Sequence, residues 1–107
     1  MTEATVQVDR DADGGVRVTV SGEIDMDNAA QVENQILAAI SNQVSTVTVD
    51  LGGLDYIDSA GLRVLFTLGT RLETLQIALK VVVPTESAVR RVIDLAGLSG
   101  VMPVSAS

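Results

Sequence analysis

The stretch Asp55-Tyr56-Ile57-Asp58-Ser59-Ala60-Gly61-Leu62 constrains this chain more than any other. The apolar run Val47-Thr48-Val49-Asp50-Leu51 leads into it through Gly52-Gly53. A helix-periodic run from Leu62 to Leu72 leads out. The pattern predicts a strand, a loop and a helix, with Ser59 at the helix start as its N-cap. That position also puts the Ser59 hydroxyl at the positive end of the helix dipole, where a phosphate is well placed. The plain alternative is that Ser59 does no more than cap the helix.

The rest of the chain decides what surrounds that junction. Val6 and Val8 alternate with polar neighbours, and so do Val16, Val18 and Val20. The two runs predict a hairpin across the Asp9–Gly15 turn. Ser21 to Asp25 breaks the second pattern. Asn28, with Gln31 three residues on, reads as a capping box for a first helix from about Ala29 to Ser41. Val47 to Leu51 is the third strand. The second helix follows Ser59, with an inward stripe of Leu62, Leu65, Phe66, Gly69 and Leu72, and Gly69 implies close packing. Ile77 to Val83 reads as a central fourth strand because it is nearly all apolar. Thr85 is placed to cap a third helix, with Val89, Val92, Ile93 and Ala96 facing inward and Gly97 as its stop. Val101 and Met102 begin a last strand that Pro103 confines to an edge. Ser105 to Ser107 reads as a loose tail. The expectation is one α/β domain of order β-β-α-β-α-β-α-β over residues 1–107. Its mixed sheet has four to five strands, with helices packed on it and right-handed parallel crossovers.

Composition narrows the function. The 107 residues suffice for one core, and 47% of them are apolar. Tyr56 and Phe66 are the only aromatics, so base stacking has almost no means. A net charge of -7 argues against nucleic acid and anionic membrane as partners. There is no Cys and no His, which removes thiolate chemistry, the Ser-His-Asp triad and the commonest metal ligand. Asp9, Asp11 and Asp13 lack the downstream acid of a calcium loop and read as a solvated turn. Gly52-Gly53 lacks the lysine and spacing of a phosphate-binding loop, and Asp58-Ser59-Ala60-Gly61 is not a nucleophile elbow. The expectation is therefore a protein that is not an enzyme, with no metal or cofactor. The first residues do not form a secretory signal and no run is long enough to span a membrane, so the cytoplasm is the expected location. Asp25 and Asp58 remain. If strands two and three are parallel neighbours, Asp25 and Ser59 emerge at one sheet edge. Taken singly, each acid reads as a turn cap.

Three segments together resemble the STAS domain, and more narrowly the bacterial anti-sigma factor antagonists. They are Gly22-Glu23-Ile24-Asp25, Val49 to Leu62 with its D-S-A-G-L, and Ala88 to Leu98. The resemblance implies that Ser59 is phosphorylated by a partner that is both anti-sigma factor and serine kinase. The unphosphorylated form would bind that partner and free a sigma factor, and a phosphatase would reset the switch. Asp25, Asp58, Ser59, Ala60, Gly61 and Val64 would form the partner-binding edge. Ala60, Val64 and Leu68 are expected as an outward apolar edge, with Ala60 and Gly61 letting the kinase approach. Ser41, Ser45, Ser87 and Ser99 lack that context. Two alternatives stay open: a non-switching STAS adaptor of a membrane transporter, and a small nucleotide-binding STAS domain.

Overall fold

A computed structural model describes residues 2–41 and 43–107; Met1 and Asn42 lie outside it. Strands β1 (Ala4–Arg10) and β2 (Gly15–Ile24) form the expected antiparallel hairpin, with Val6 opposite Val20 and Val8 opposite Val18. Its turn is closed by the Asp11 carboxylate, which accepts from the backbone N–H of Asp13 and of Gly15 at 2.9 and 2.8 Å. The acidic cluster there is a turn, as its spacing suggests.

Strand β2 does not stop at Val20. It runs on to Ile24 through a register shift at Gly22/Glu23, where Gly22 has φ +95°. A side chain at Gly22 would meet the Glu3 carbonyl at 2.5 Å, so a positive φ and a close backbone approach both require glycine there. The extra length gives β2 room for two parallel neighbours along one edge. Its first half pairs with β3 (Thr46–Asp50) and its last residues pair with β4 (Leu54–Ile57). The segment expected as a loop before Ser59 is therefore a sixth strand. The Gly52-Gly53 turn jogs the chain from β3 to β4, held by the Asp50 carboxylate on the Gly52 N–H at 2.8 Å.

The mixed sheet has the order β1-β2-β3-β5-β6, with β4 beside β2. Strand β5 (Ala78–Val82) lies between β3 and the short β6 (Val104–Ser105), not at the centre. Its apolar run reflects burial of its last residues, Val81 and Val82, while Ala78 and Lys80 face outward. The edge strand begins after Pro103 rather than at Val101, and Ser105 belongs to it. Two β6 contacts come from carbonyls: Val81 N–H to Pro103 O and Val83 N–H to Ser105 O. An acceptor is all that proline can offer a ladder.

Helix α1 (Ala29–Ala38) lies over β1 and β2, and α2 (Ser59–Thr74) lies over β4 and β5 and against α1. Helix α1 ends three residues before the expected Ser41. Helix α3 (Ala88–Leu95) packs on β4. Its cap is Ser87, whose hydroxyl accepts from the Arg90 N–H at 3.0 Å, not Thr85. Gly97 ends the segment with φ +80°, as expected, but Ala96 is exposed. The core is aliphatic throughout. Val16, Val18 and Val20 from β2, Val47 and Val49 from β3 and Val81 from β5 meet Val32 and Ile36 of α1 and Leu65, Leu68 and Leu72 of α2.

The stripe on α2 is rotated from its sequence reading. Val64 and Leu68, expected on an outward edge, are 4% and 0% exposed, whereas Leu62 and Phe66 are half-buried. The reason is that α2 is covered twice, by the sheet and by α1, so its buried arc is wider than one stripe. Gly69 is half-buried and faces the flexible end of Met102: a Cβ there would lie 2.6 Å from Met102 Cε, with no other contact nearer than 3.8 Å.

Candidate functional site

The C-terminal ends of β2 and β4 lie side by side, with Ile24 opposite Ile57. The Asp58 N–H then donates to the Ile24 carbonyl at 3.2 Å. Asp25 and Asp58 thus leave the sheet at adjacent positions, as expected, but β4 rather than β3 carries Asp58 there.

Asp58, not Ser59, caps α2. Its backbone is extended, and its Oδ1 accepts from the N–H groups of Ala60 and Gly61 at 2.9 and 3.2 Å. Both Asp and Ser are strong caps, and in Asp58-Ser59 they are adjacent, so sequence left the cap ambiguous by one residue. With the carboxylate in that role, Ser59 becomes the first helical residue. It is exposed, and its hydroxyl is released from capping.

Gly61 faces inward. A Cβ there would come within 2.5 Å of Ile57 Cγ1 and 3.1 Å of Ile24 Cγ2. The glycine lets the first turn of α2 seat on the two strand ends. It does not open a path to Ser59, contrary to the sequence expectation, because it is buried beneath the turn.

Asp25 is committed to its own loop. Its Oδ1 accepts from the Asp27 N–H at 2.8 Å, and the Thr2 hydroxyl donates to Oδ2. Its carbonyl takes the first N–H of α1, from Ala29, at 2.9 Å. The Thr2 hydrogen bond holds the Asp25 carboxyl below the usual 3.8; partial burial opposes this and the backbone donors of Asp27 and Asn28 add to it. Asn28 is no capping box. Its side chain makes no cap bond; instead it accepts from the Asp25 N–H at 3.0 Å and donates to the Glu23 carbonyl at 2.8 Å. Buried at 7% exposure, it ties the end of β2 to the start of α1.

Between α1 and the first turns of α2 lies a cleft of about 440 Å³. Ala29, Ala30, Ala60 and Val64 supply its apolar lining, and Ser59 and Asp58 stand at one end. Met26 lies beside them and is 80% exposed. Glu33 of α1 and Arg63 of α2 bring one charge of each sign. Of the residues expected at a partner-binding edge, the cleft gathers Asp58, Ser59, Ala60 and Val64. It leaves out Asp25 and the buried Gly61. Met26, Ala29, Ala30, Glu33 and Arg63 were missed from sequence. Arg63 was within reach of it, because it lies four residues after Ser59 on the same helix. The α1 residues were not, since only the packing of α1 against α2 brings them in. Among the described residues no group of three or more acids is placed to hold a metal, and no helix is long and apolar enough to cross a membrane.

The fold and this corner define a class: a small α/β domain that presents a strand-to-helix junction beside a helix–helix cleft. The comparisons place the fold in a known family. The family model described as "Mlab, STAS domain" matches residues 7–103. BtrV of Bordetella bronchiseptica, named as a candidate anti-sigma factor antagonist, is 35% identical over 95 residues, which cover 89% of this chain and 81% of BtrV. An anti-sigma factor antagonist from Mycobacterium paratuberculosis is 31% identical with a TM-score of 0.85, over 98% of this chain and 87% of that one. The fold is also that of SpoIIAA, solved in its unphosphorylated form (24% identity, TM-score 0.75, 94% of this chain and 87% of that one). The Bacillus SpoIIAA in its phosphorylated form matches with 22% identity and a TM-score of 0.66, over 94% and 90%. The chain belongs to the STAS domain family.

Proposed function

We propose that this chain is an anti-sigma factor antagonist whose unphosphorylated form binds an anti-sigma factor that is also a serine kinase, and that phosphorylation of Ser59 ends the binding. One observation carries the reading. Ser59 is an exposed first residue of α2, freed from capping by Asp58, at the end of a cleft with an apolar lining. Two of the other serines at helix ends are engaged: Ser87 caps α3, and Ser99 donates to the Asp94 carboxylate at 2.8 Å. The antagonist relatives from Bordetella and Mycobacterium support the same reading.

The switch is local. Phosphorylation adds about -1.5 to -2 charges beside the Asp58 carboxylate. A partner seated on the cleft then has to desolvate that charge, and a loss of about 1.4 kcal/mol is already tenfold in affinity. A phosphatase resets the protein. Nothing in this scheme requires the chain itself to catalyse a reaction.

The test is incubation with ATP and the cognate anti-sigma kinase, then mass spectrometry and a binding titration. Phosphate on Ser59 and at least tenfold weaker binding are expected. Phosphate elsewhere, or a Ser59-phosphorylated form that binds as tightly as the unmodified one, would transfer the chain to the adaptor reading.

A further inference from the structure

Once phosphorylated, Ser59 has few places to put its charge. The N–H groups of Ala60 and Gly61, which an anion at a helix start would ordinarily use, are already taken by Asp58 Oδ1. The Asp58 carboxylate and Glu33 in the same cleft repel the phosphate. Among the described residues, Arg63 is the one cation lining the cleft. It lies four residues after Ser59 on α2, so the two side chains share a helix face. It is exposed, and it takes no part in the ion pairs found among the described residues, Arg17–Asp50 and Arg90–Asp94.

We infer that Arg63 is the intramolecular counter-ion of phospho-Ser59: its guanidinium folds back along α2 and pairs with the phosphate. The inference deepens the proposed switch and rests on Ser59 being its modified residue. A guanidinium suits the role because its planar fork can give two N–H groups to two phosphate oxygens. The pair would change the cleft in two ways at once. It partly neutralises a dianion that shares the cleft with two carboxylates, which lets the fold keep the modification. It also withdraws the Arg63 cation from any acidic group a partner brings.

The experiment uses full-length protein with phosphoserine placed at position 59 during translation, so that no kinase is needed. Its phosphate is titrated by 31P NMR in the wild type, Arg63→Gln and Arg63→Lys. The second phosphate pKa is expected to be about 0.15–0.4 lower in the wild type than in Arg63→Gln. Arg63→Lys should recover part of the difference, and 1 M salt should remove most of it. A purely structural role for Arg63 would move the melting temperature and leave the phosphate titration alone. Should Arg63→Gln fail to fold, the wild type still answers: pairing gives a shifted, slowly exchanging Arg63 Nε–H signal on phosphorylation. Equal phosphate pKa values in the wild type and Arg63→Gln, or an Arg63 Nε–H signal unmoved by phosphorylation, would overturn the inference. Neither result depends on whether a kinase partner binds, so failure here is distinct from failure of the switch.

Discussion

At the scale of single residues, Asp58 and Ser59 divide two jobs that a lone capping serine would have to combine. Asp58 satisfies two free N–H groups of the first turn, and Ser59 is left for the proposed phosphorylation. Asp58→Ala should therefore cost about 1 kcal/mol in a urea titration. Ser59→Ala should stay within about 0.5 kcal/mol of the wild type and hold the protein in its binding form. The two helical glycines make a second pair of contrasts. At Gly61 a methyl group meets Ile57 Cγ1 at 2.5 Å and Ile24 Cγ2 at 3.1 Å, both on strand-held side chains. Gly61→Ala should destabilise by about 1–3 kcal/mol through overpacking. At Gly69 it meets the flexible end of Met102, which can swing aside. Gly69→Ala gains about 1 kcal/mol of helix propensity, so it should be neutral or stabilising. Equal losses at both positions, read from denaturation midpoints, would refute this account of the junction.

At the scale of elements, the meeting of α1 and α2 creates the cleft, and the loops at the strand ends hold it. Ala60 on the cleft lining is half-buried, whereas Val64, which also touches the cleft, and Leu68 are core. Ala60→Arg should block partner binding with little change in melting temperature, whereas a charge at Leu68 should unfold the domain. The loops depend on ionised acids. Burial pushes Asp50 up, but the Gly52 N–H and the Arg17 guanidinium outweigh it, so its carboxyl titrates below the usual 3.8. Asp25 is lowered chiefly by the Thr2 hydroxyl. In both cases the unfolded chain binds the proton first as pH falls. The stability they contribute is complete above about pH 4 and is lost as pH drops through their lower folded values. Thr2→Val should raise the Asp25 pKa in a carboxyl NMR titration. Asp50→Asn should lose less stability than the wild type between pH 4 and pH 2.

At the scale of the whole molecule, one aliphatic core joins buried residues of all three helices to β2, β3, β4 and β5. Unfolding should therefore be a single transition, with calorimetric and van't Hoff enthalpies in agreement. Because the proposed switch adds charge at the surface and leaves that core untouched, phosphorylation should shift amide NMR signals around the cleft and leave the β1–β2 hairpin and β5–β6 unchanged. Shifts spread through the sheet would instead indicate a refolding switch.

The hydrophobic alternation, the helical period after Ser59 and the D-S-A-G-L junction were enough, by themselves, to give the α/β class, the opening hairpin, the three helices and the place of Ser59 at the start of the second helix. Those features are local, and local spacing reports them. The sequence could not show that β2 continues past Gly22, because the bulge there takes its reason from the Glu3 carbonyl, nineteen positions back. Nor could it reveal β4, since Leu54 to Ile57 is a strand only when the end of β2 is beside it. Asp25 and Asn28 looked like a site acid and a cap. Tertiary contacts with Thr2 and Glu23 made them braces of a loop. The cleft itself, with Met26, Ala30 and Glu33 facing Arg63, exists only because α1 packs against α2. Helix periodicity fixes which residues share a face; only packing decides how wide the buried arc is and what stands opposite it.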